Sequence, residues 1–404
     1  MQVWRGRLNW RGPTHPLPHH PEEELGFIGN LVPKWSAVSR TARTRLRRRF
    51  LAPSCLAVCA LIVACAALPG WAPAEQISPI LYPAPPLEPR LQLLASYRSD
   101  ADVFSPQSAF ERLVVGPREE RQIGKPYGLA IHDGQILVCD TAAGVVLVLD
   151  LEARAVELLG LDDPGRLRKP VNVAVDADGT RYVSDTKLRR VMIYDRSNRF
   201  LRAFGDPERL KPSGVAIAGE HLYVTDLEAG QVVVLDKSSG EEIERFSQRG
   251  VGPGDLGIPA NLAVDGAGNL YVSDIGSFRV VKFDAQGRLL SQFGSLGDRI
   301  GQFVRPKGVA VDREGRLYVV DAASQVVQIF DEEGALLLFF GGAGNRPGDM
   351  NLPAGVSIDY DNVALFADRA APGYAIEYLI LVSSQYGPNK INVYGFLGPR
   401  ARED

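Results

Sequence analysis

The chain is poor in cysteine and histidine, which argues against two common kinds of site. Three of its four cysteines, Cys55, Cys59 and Cys65, lie in a single apolar run. The remaining thiol, Cys139, has no partner for a disulfide, so we interpret it as a small buried side chain. Only two of the five histidines, His132 and His221, lie beyond residue 50. Because two histidines in separate repeats cannot form a ligand cluster, we predict no metal site and no catalytic residue.

The chain also lacks an excess of positive charge. It holds 45 Lys and Arg against 48 Asp and Glu, a formal net charge of −3. Proteins that bind nucleic acids usually carry a basic excess, so we expect no nucleic-acid partner. No glycine-rich phosphate loop and no Gly-x-Ser-x-Gly motif appear, which argues against nucleotide-binding and serine-hydrolase classes.

A repeated pattern of short strands is present instead. Pro306–Gly341 reads as four runs of β-branched, aliphatic and aromatic residues, separated by turns at Arg-Glu-Gly, Ala-Ala-Ser-Gln and Glu-Glu-Gly. The pattern recurs six times, with 42 to 47 residues between the opening prolines Pro126, Pro170, Pro212, Pro259, Pro306 and Pro353. A period in the forties with four strands per unit predicts an all-β, six-bladed β-propeller with four-stranded blades.

The repeated residues resemble the NHL repeat family, and the stretch YPAPPLEPRLQLL at 82–94 resembles one that precedes the propeller in the family's bacterial lipoprotein type. Gly-x-Leu-Tyr-Val-Ser-Asp, Arg-Val-x-x-Phe-Asp and Gly-x-x-Leu-x-x-Phe-Gly stand nearly intact within 262–294 and are close to complete within 308–341 and 172–205. The resemblance covers roughly residues 104–398 and implies the propeller fold. It leaves the activity open, because NHL propellers include enzymes, RNA-binding modules, sensor domains and scaffolds.

The first 75 residues of the chain predict export. Residues 1–50 are basic and are interpreted as a targeting region or a disordered tail, and residues 51–68 as an apolar signal or anchor segment. Three outcomes remain open for this segment: lipidation of Cys65 after Ile62-Val63-Ala64, cleavage before Glu75, or an uncleaved anchor. Each places the propeller outside the cytoplasm, in a bacterial cell envelope.

Two further predictions concern the segment that leads into the propeller. Residues 69–103 are a proline-rich spacer, whose Leu91, Leu93 and Leu94 we expect to dock on the propeller rather than to bind a partner. The propeller then covers residues 104–398. The run AFERLVVG at Ala109–Gly116 resembles a fourth strand, so Phe110–Val115 should complete the sixth blade; the alternative is that residues 396–398 supply the outer strand.

Aspartates recur at the ends of the strands and suggest a structural role. Asp140, Asp185, Asp226, Asp274 and Asp321 each follow a second strand. Asp accepts backbone hydrogen bonds in tight turns, so it recurs because the turn recurs.

Residues that differ between units are better candidates for binding. We expect a polar, cationic and aromatic rim at the channel face where first strands begin and second and third strands are joined, formed by Tyr127, Asn172, Lys187, Arg189, Asn261, Phe278 and Lys307. Arg279 lies on this face but occupies the repeat's own arginine position. The rim would bind an anionic ligand, a glycan or a peptide, or it is simply solvated.

The sequence therefore predicts a membrane-tethered, monomeric propeller that acts as a binding or scaffold module in an envelope complex and uses no cofactor. The alternative is a lyase or hydrolase of the propeller-enzyme class with calcium in the central channel.

Overall fold

A computed structural model describes residues 79–400. The basic extension 1–50, the apolar segment 51–68 and Cys65 lie outside the described residues. Within the described part, no helix is long and apolar enough to cross a membrane.

The described chain begins with elements that precede the repeats. They are strand β1 (Leu81–Tyr82), strand β2 (Leu91–Tyr97), a 3₁₀ turn (Asp100–Asp102) and helix α1 (Ala109–Val115).

Five consecutive blades follow, each a four-stranded antiparallel sheet. Blade 1 contains β3 (Pro126–His132), β4 (Gln135–Asp140), β5 (Val145–Asp150) and β6 (Ala155–Leu159). Blade 2 contains β7 (Pro170–Val175), β8 (Arg181–Asp185), β9 (Arg190–Tyr194) and β10 (Phe200–Phe204). Blade 3 contains β11 (Pro212–Ala218), β12 (His221–Asp226), β13 (Gln231–Asp236) and β14 (Glu242–Phe246). Blade 4 contains β15 (Pro259–Val264), β16 (Leu270–Asp274), β17 (Arg279–Phe283) and β18 (Leu289–Phe293). Blade 5 contains β19 (Pro306–Val311), β20 (Leu317–Asp321), β21 (Val326–Phe330) and β22 (Leu336–Gly341).

The sixth blade joins the two ends of the ring. Its strands are β23 (Pro353–Asp359), β24 (Tyr374–Ser384) and β25 (Ile391–Pro399), with a 3₁₀ segment (Val363–Arg369) between the first two. The fourth strand is β2, and β1 adds a short fifth strand outside it, giving the order β1-β2-β25-β24-β23. The predicted six-bladed β-propeller is therefore confirmed.

Burial on both faces explains why the middle strands are almost continuously apolar. Side chains of neighbouring blades form shared clusters, such as Tyr182 and Val191 of blade 2 with Val215 and Leu222 of blade 3. Because each sheet is covered by a neighbour on either face, its inner strands do not alternate between polar and apolar residues. The hydrophobic core is thus divided among the interfaces between blades.

The prediction for the strand that closes the ring is wrong. Tyr97 pairs with Ile391 and Leu91 with Phe396, so β2 is the outer neighbour of β25. Leu91 and Leu94 are buried and Leu93 is half-buried in this sheet, so they dock as a strand of the blade rather than on its surface. The ring therefore includes residues of the predicted spacer 69–103, and residues 396–398 belong to the third strand, not to an outer one.

The segment predicted to close the ring is a helix because its ends are capped. The Ser108 hydroxyl accepts a hydrogen bond from the Glu111 N–H, and the Glu111 carboxylate accepts one from the Ser108 N–H. This reciprocal pair is a capping box, and Gly116 ends the helix with a positive φ of 86°. Phe110, Leu113, Val114 and Val115 are exposed on α1 and contribute nothing to the ring.

Candidate functional site

A cavity of about 600 Å³ opens at one end of the central channel. We call it the mouth cavity. This end carries the starts of the first strands and the turns between second and third strands. The mouth cavity is lined by Lys125, Tyr127, Thr141, Lys169, Val171, Thr186, Lys187, Lys211, Ser213, Leu227, Ala260, Ile275 and Gln385. Of the predicted rim, Tyr127 and Lys187 line it directly.

Four lysines and no acidic residue occur among these described lining residues. Lys211 pairs with Glu228 at 2.9 Å, whereas the amines of Lys169 and Lys187 make no ion pair with described residues. The Arg189 and Lys211 side chains donate to Glu228 and lower the pKa of its carboxyl to about 2, so this rim carboxylate is already neutralised by partners. The mouth cavity is therefore locally cationic although the chain as a whole is slightly acidic.

The recurring aspartates behind the mouth hold the main chain in place. Asp185 accepts hydrogen bonds from the N–H groups of Arg168, Lys169, Lys187 and Leu188. Asp140 does the same for its own blade, accepting from Gly124 at 2.7 Å and from Lys125 at 3.0 Å. The structural interpretation of these carboxylates is confirmed, because each fixes both a turn and the segment that leads into the first strand.

Lys307 lies beneath the mouth, against the ring of Tyr127. Its Nζ lies 4.9 Å from the ring centroid, and the residue is only 3% exposed. The amine has no hydrogen bond or ion pair among the described residues. Burial, together with the smaller effect of the nearby charges of Arg305 and Lys125, lowers the pKa of Lys307 to about 7. Burial likewise raises the pKa of Tyr127 to about 12.

Asn172 and Asn261 bind each other rather than projecting from the rim. The Asn172 side-chain amide donates to the Asn261 side-chain oxygen at 2.7 Å, which joins blade 2 to blade 4 across the blade between them. Each side-chain oxygen also accepts the N–H of the following residue. Both residues are buried, so the pair forms part of the wall of the channel.

The other two predicted rim residues, Arg189 and Phe278, do not line the mouth cavity. Both occupy the last position of a turn between second and third strands, with φ of 59° and 57°. Arg189 contacts Glu228 at 2.9 Å and so links blade 2 to blade 3. Arg279 donates to the carbonyls of Gly252 and Asp255, in agreement with a structural role.

Gln385, which the sequence did not single out, lies in the wall of the mouth cavity. It follows β24 in blade 6 and is 4% exposed. Its side-chain Nε2 is buried and has no hydrogen-bond acceptor among the described residues. A buried donor without an acceptor is unusual in folded proteins and calls for an explanation.

The ring of basic residues was also missed, although the repeats contain the information. Lys125, Lys169, Lys211 and Arg305 each stand immediately before the opening proline of a unit. Aligning the units at that proline places these four residues at the same end of the channel. The total charge conceals the arrangement because acidic residues elsewhere cancel it.

The described residues contain no group of three or more His, Cys, Asp or Glu placed to hold a metal ion. Cys139 is fully buried and free, and burial raises its thiol pKa well above the usual value, as expected for a packing residue.

Comparisons with known proteins agree with the fold and narrow the function only slightly. No family model matches the chain. Protein brain tumor of Drosophila melanogaster is 30% identical over 136 residues, which cover 31% of this chain and 12% of that protein. B-box type zinc finger protein ncl-1 of Caenorhabditis elegans is 28% identical over 131 residues, covering 31% of this chain and 15% of that protein. The chain thus spans only a small part of the curated relatives that it matches.

A solved structure shares this architecture. A gluconolactonase of Xanthomonas campestris has a TM-score of 0.51 and 18% identity, covering 76% of this chain and 90% of that one. At this identity the likeness shows the fold alone. The chain is therefore a six-bladed β-propeller with NHL-like relatives.

Proposed function

We propose that the protein is a non-enzymatic binding module that holds an acidic ligand or partner segment at the mouth of its channel. The cationic mouth cavity is the observation that carries this proposal. Its four lysines converge from blades 1, 2 and 3, and two of them, Lys169 and Lys187, make no ion pair with the described residues. Positive charge concentrated at a concave surface attracts anions and orients them during encounter.

The proposal includes export and attachment to a bacterial envelope, where the module would act as a scaffold in a complex. The apolar segment 51–68 and the lipidation motif at Cys65 support this part. Mass spectrometry of the mature N-terminus tests it: a diacylated Cys65 would support the lipoprotein, and a free Glu75 would rule it out.

Retention of a partner from solubilised membranes tests the binding role. Wild-type protein is compared with a Lys169→Glu, Lys187→Glu double variant, in which two exposed mouth residues are reversed in charge. Arg196→Glu serves as the control, because Arg196 is an exposed residue in the turn between β9 and β10, at the opposite end of the propeller. We expect the double variant to lose the partner and the control to keep it. Equal retention by all three proteins would contradict the proposal.

The alternative, a lyase or hydrolase with calcium in the channel, finds no ligand cluster among the described residues. Metal analysis of the purified protein tests it, since stoichiometric calcium bound inside the channel would favour the enzyme.

A further inference from the structure

The side chain of Gln385 marks the part of the mouth cavity where a ligand would supply a hydrogen-bond acceptor. The main chain of Gln385 is fixed: its N–H donates to the Leu352 carbonyl, and its carbonyl accepts from the Lys390 amine at 3.1 Å. The side-chain Nε2 remains buried without an acceptor among the described residues. A buried donor that lacks an acceptor costs free energy, which a bound acceptor atom would recover once the Gln385 side chain turns its Nε2 toward the cavity.

The surroundings of this amide favour an anionic acceptor. The Lys390 amine also donates to the Gly124 carbonyl at 2.7 Å, which places Gln385 next to the segment that carries Lys125. The Lys125 amine lies 5.2 Å from the ring centroid of Tyr386, the residue that follows Gln385. A donor amide and a lysine thus stand side by side at the junction of blades 6 and 1. Carboxylate and phosphate oxygens are the strongest acceptors for such donors.

The remaining walls of the mouth cavity differ in chemistry. Lysines occupy the arc from blade 1 to blade 3, whereas Val171, Leu227, Ala260 and Ile275 provide apolar surface. A simple inorganic ion would leave that apolar surface wet. A cavity of about 600 Å³ has the size expected for a small organic ligand.

We propose that the mouth cavity binds an amphipathic organic anion. Its carboxylate or phosphate accepts from the Gln385 amide beside Lys125, and its aliphatic or aromatic body packs against Leu227 and Ile275. This inference rests on the proposed function and names the ligand class that the same site would take.

Octanoate is a suitable probe, because it combines one carboxylate with an eight-carbon body. Titration calorimetry at physiological salt would compare it with octanamide, which keeps the body without the charge, and with acetate, which keeps the charge without the body. We expect octanoate to bind with one-to-one stoichiometry and both controls to bind at least tenfold more weakly.

One variant tests the assigned amide, and a second tests the positive charge of the mouth cavity. Gln385→Glu places a carboxylate where the ligand's own would lie and should weaken octanoate binding at least tenfold, with thermal unfolding used to check that the variant folds. Lys187→Glu alters an exposed residue that cannot disturb the core, and it should weaken binding threefold or more. Arg196→Glu at the opposite end should leave the affinity unchanged.

Absence of saturable octanoate binding, equal affinity for octanamide, or insensitivity to Lys187→Glu would overturn the inference. Binding of a single-stranded RNA decamer through the mouth lysines, without binding of octanoate, would also overturn the inference. If the wild-type protein captures its partner but does not bind octanoate, only this inference is refuted. Octanoate binding without any membrane partner would refute only the scaffold role.

Discussion

Replacing Lys307 with methionine should stabilise the protein, and the gain should depend on pH. An ordinary lysine has a pKa of 10.5, whereas burial and two neighbouring cations lower the pKa of Lys307 to about 7. Between these two values the unfolded chain binds more protons at this site than the folded chain does. The destabilising contribution is therefore full below pH 7 and disappears as the pH rises towards 10.5.

The magnitude follows from the difference between the two pKa values. At about 1.36 kcal/mol per unit, the contribution reaches about 5 kcal/mol below pH 7 as an upper bound. It decreases by about 3 kcal/mol between pH 6 and pH 9.5. Methionine has a similar length and no charge, so it can keep the contact with the Tyr127 ring at little packing cost.

Urea unfolding of the wild type and of Lys307→Met at pH 6 and pH 9.5 measures this difference. Lys169→Met is the matched control, because Lys169 is an exposed lysine at the same end of the channel and should show no pH-dependent gain. If Lys307→Met changed the free energy of unfolding equally at both pH values, the argument from burial of the amine would be refuted.

Three further substitutions test the fold and the channel wall. Leu91→Ala in the closing strand removes a fully buried side chain and should cost about 2–5 kcal/mol of unfolding free energy. The control, Leu113→Ala on the exposed helix α1, should change it by about 0.5 kcal/mol or less. Similar losses for both variants in denaturant melts would contradict the assignment of the closing strand. Asp185→Ala leaves four main-chain N–H groups without their acceptor and should cost about 3 kcal/mol or more, and a cost below about 1 kcal/mol, measured in the same way, would argue against the structural role. Gly214→Ala places a methyl group 2.7 Å from the Asn261 Cα, so it should lower the melting temperature and the yield of folded protein, and wild-type melting would show that the wall is not tightly packed.

The repeats made the blades predictable because the same chemistry specifies each of them. Every unit opens with proline, and the first five end their second strand in aspartate and turn at residues suited to tight turns. Pairing such as Leu317 with Phe330 and Asp321 with Val326 then follows from the alternation and the turn length. Strands outside the repeats had no such template.

The prediction of the closing strand was wrong because it relied on a local resemblance to a fourth strand and overlooked a helix-capping pattern. The run Phe110–Val115 looks like a fourth strand, but Ser108 and Glu111 stand three residues apart and form a capping box. The true strand, Leu91–Tyr97, lay in a segment whose prolines suggested an extended spacer. Pairing with β25, more than 290 residues away, is a tertiary contact that no local pattern reveals.

The repeat indicates which end of the channel carries the candidate site, but it does not reveal the roles of individual residues there. Asn172 and Asn261 look like rim residues in the sequence, and only the structure shows that their side chains hydrogen-bond to each other. The unpartnered amide of Gln385 depends on where neighbouring loops place their carbonyl groups, which is likewise a property of the folded ring.

Closure by β2 has a consequence for biogenesis. The ribosome makes this strand about 300 residues before its partner β25, so the emerging chain carries an exposed strand edge until the last blade has been made. A nascent chain that stops before Ile391 lacks β25, so β2 cannot pair with it and the ring stays open.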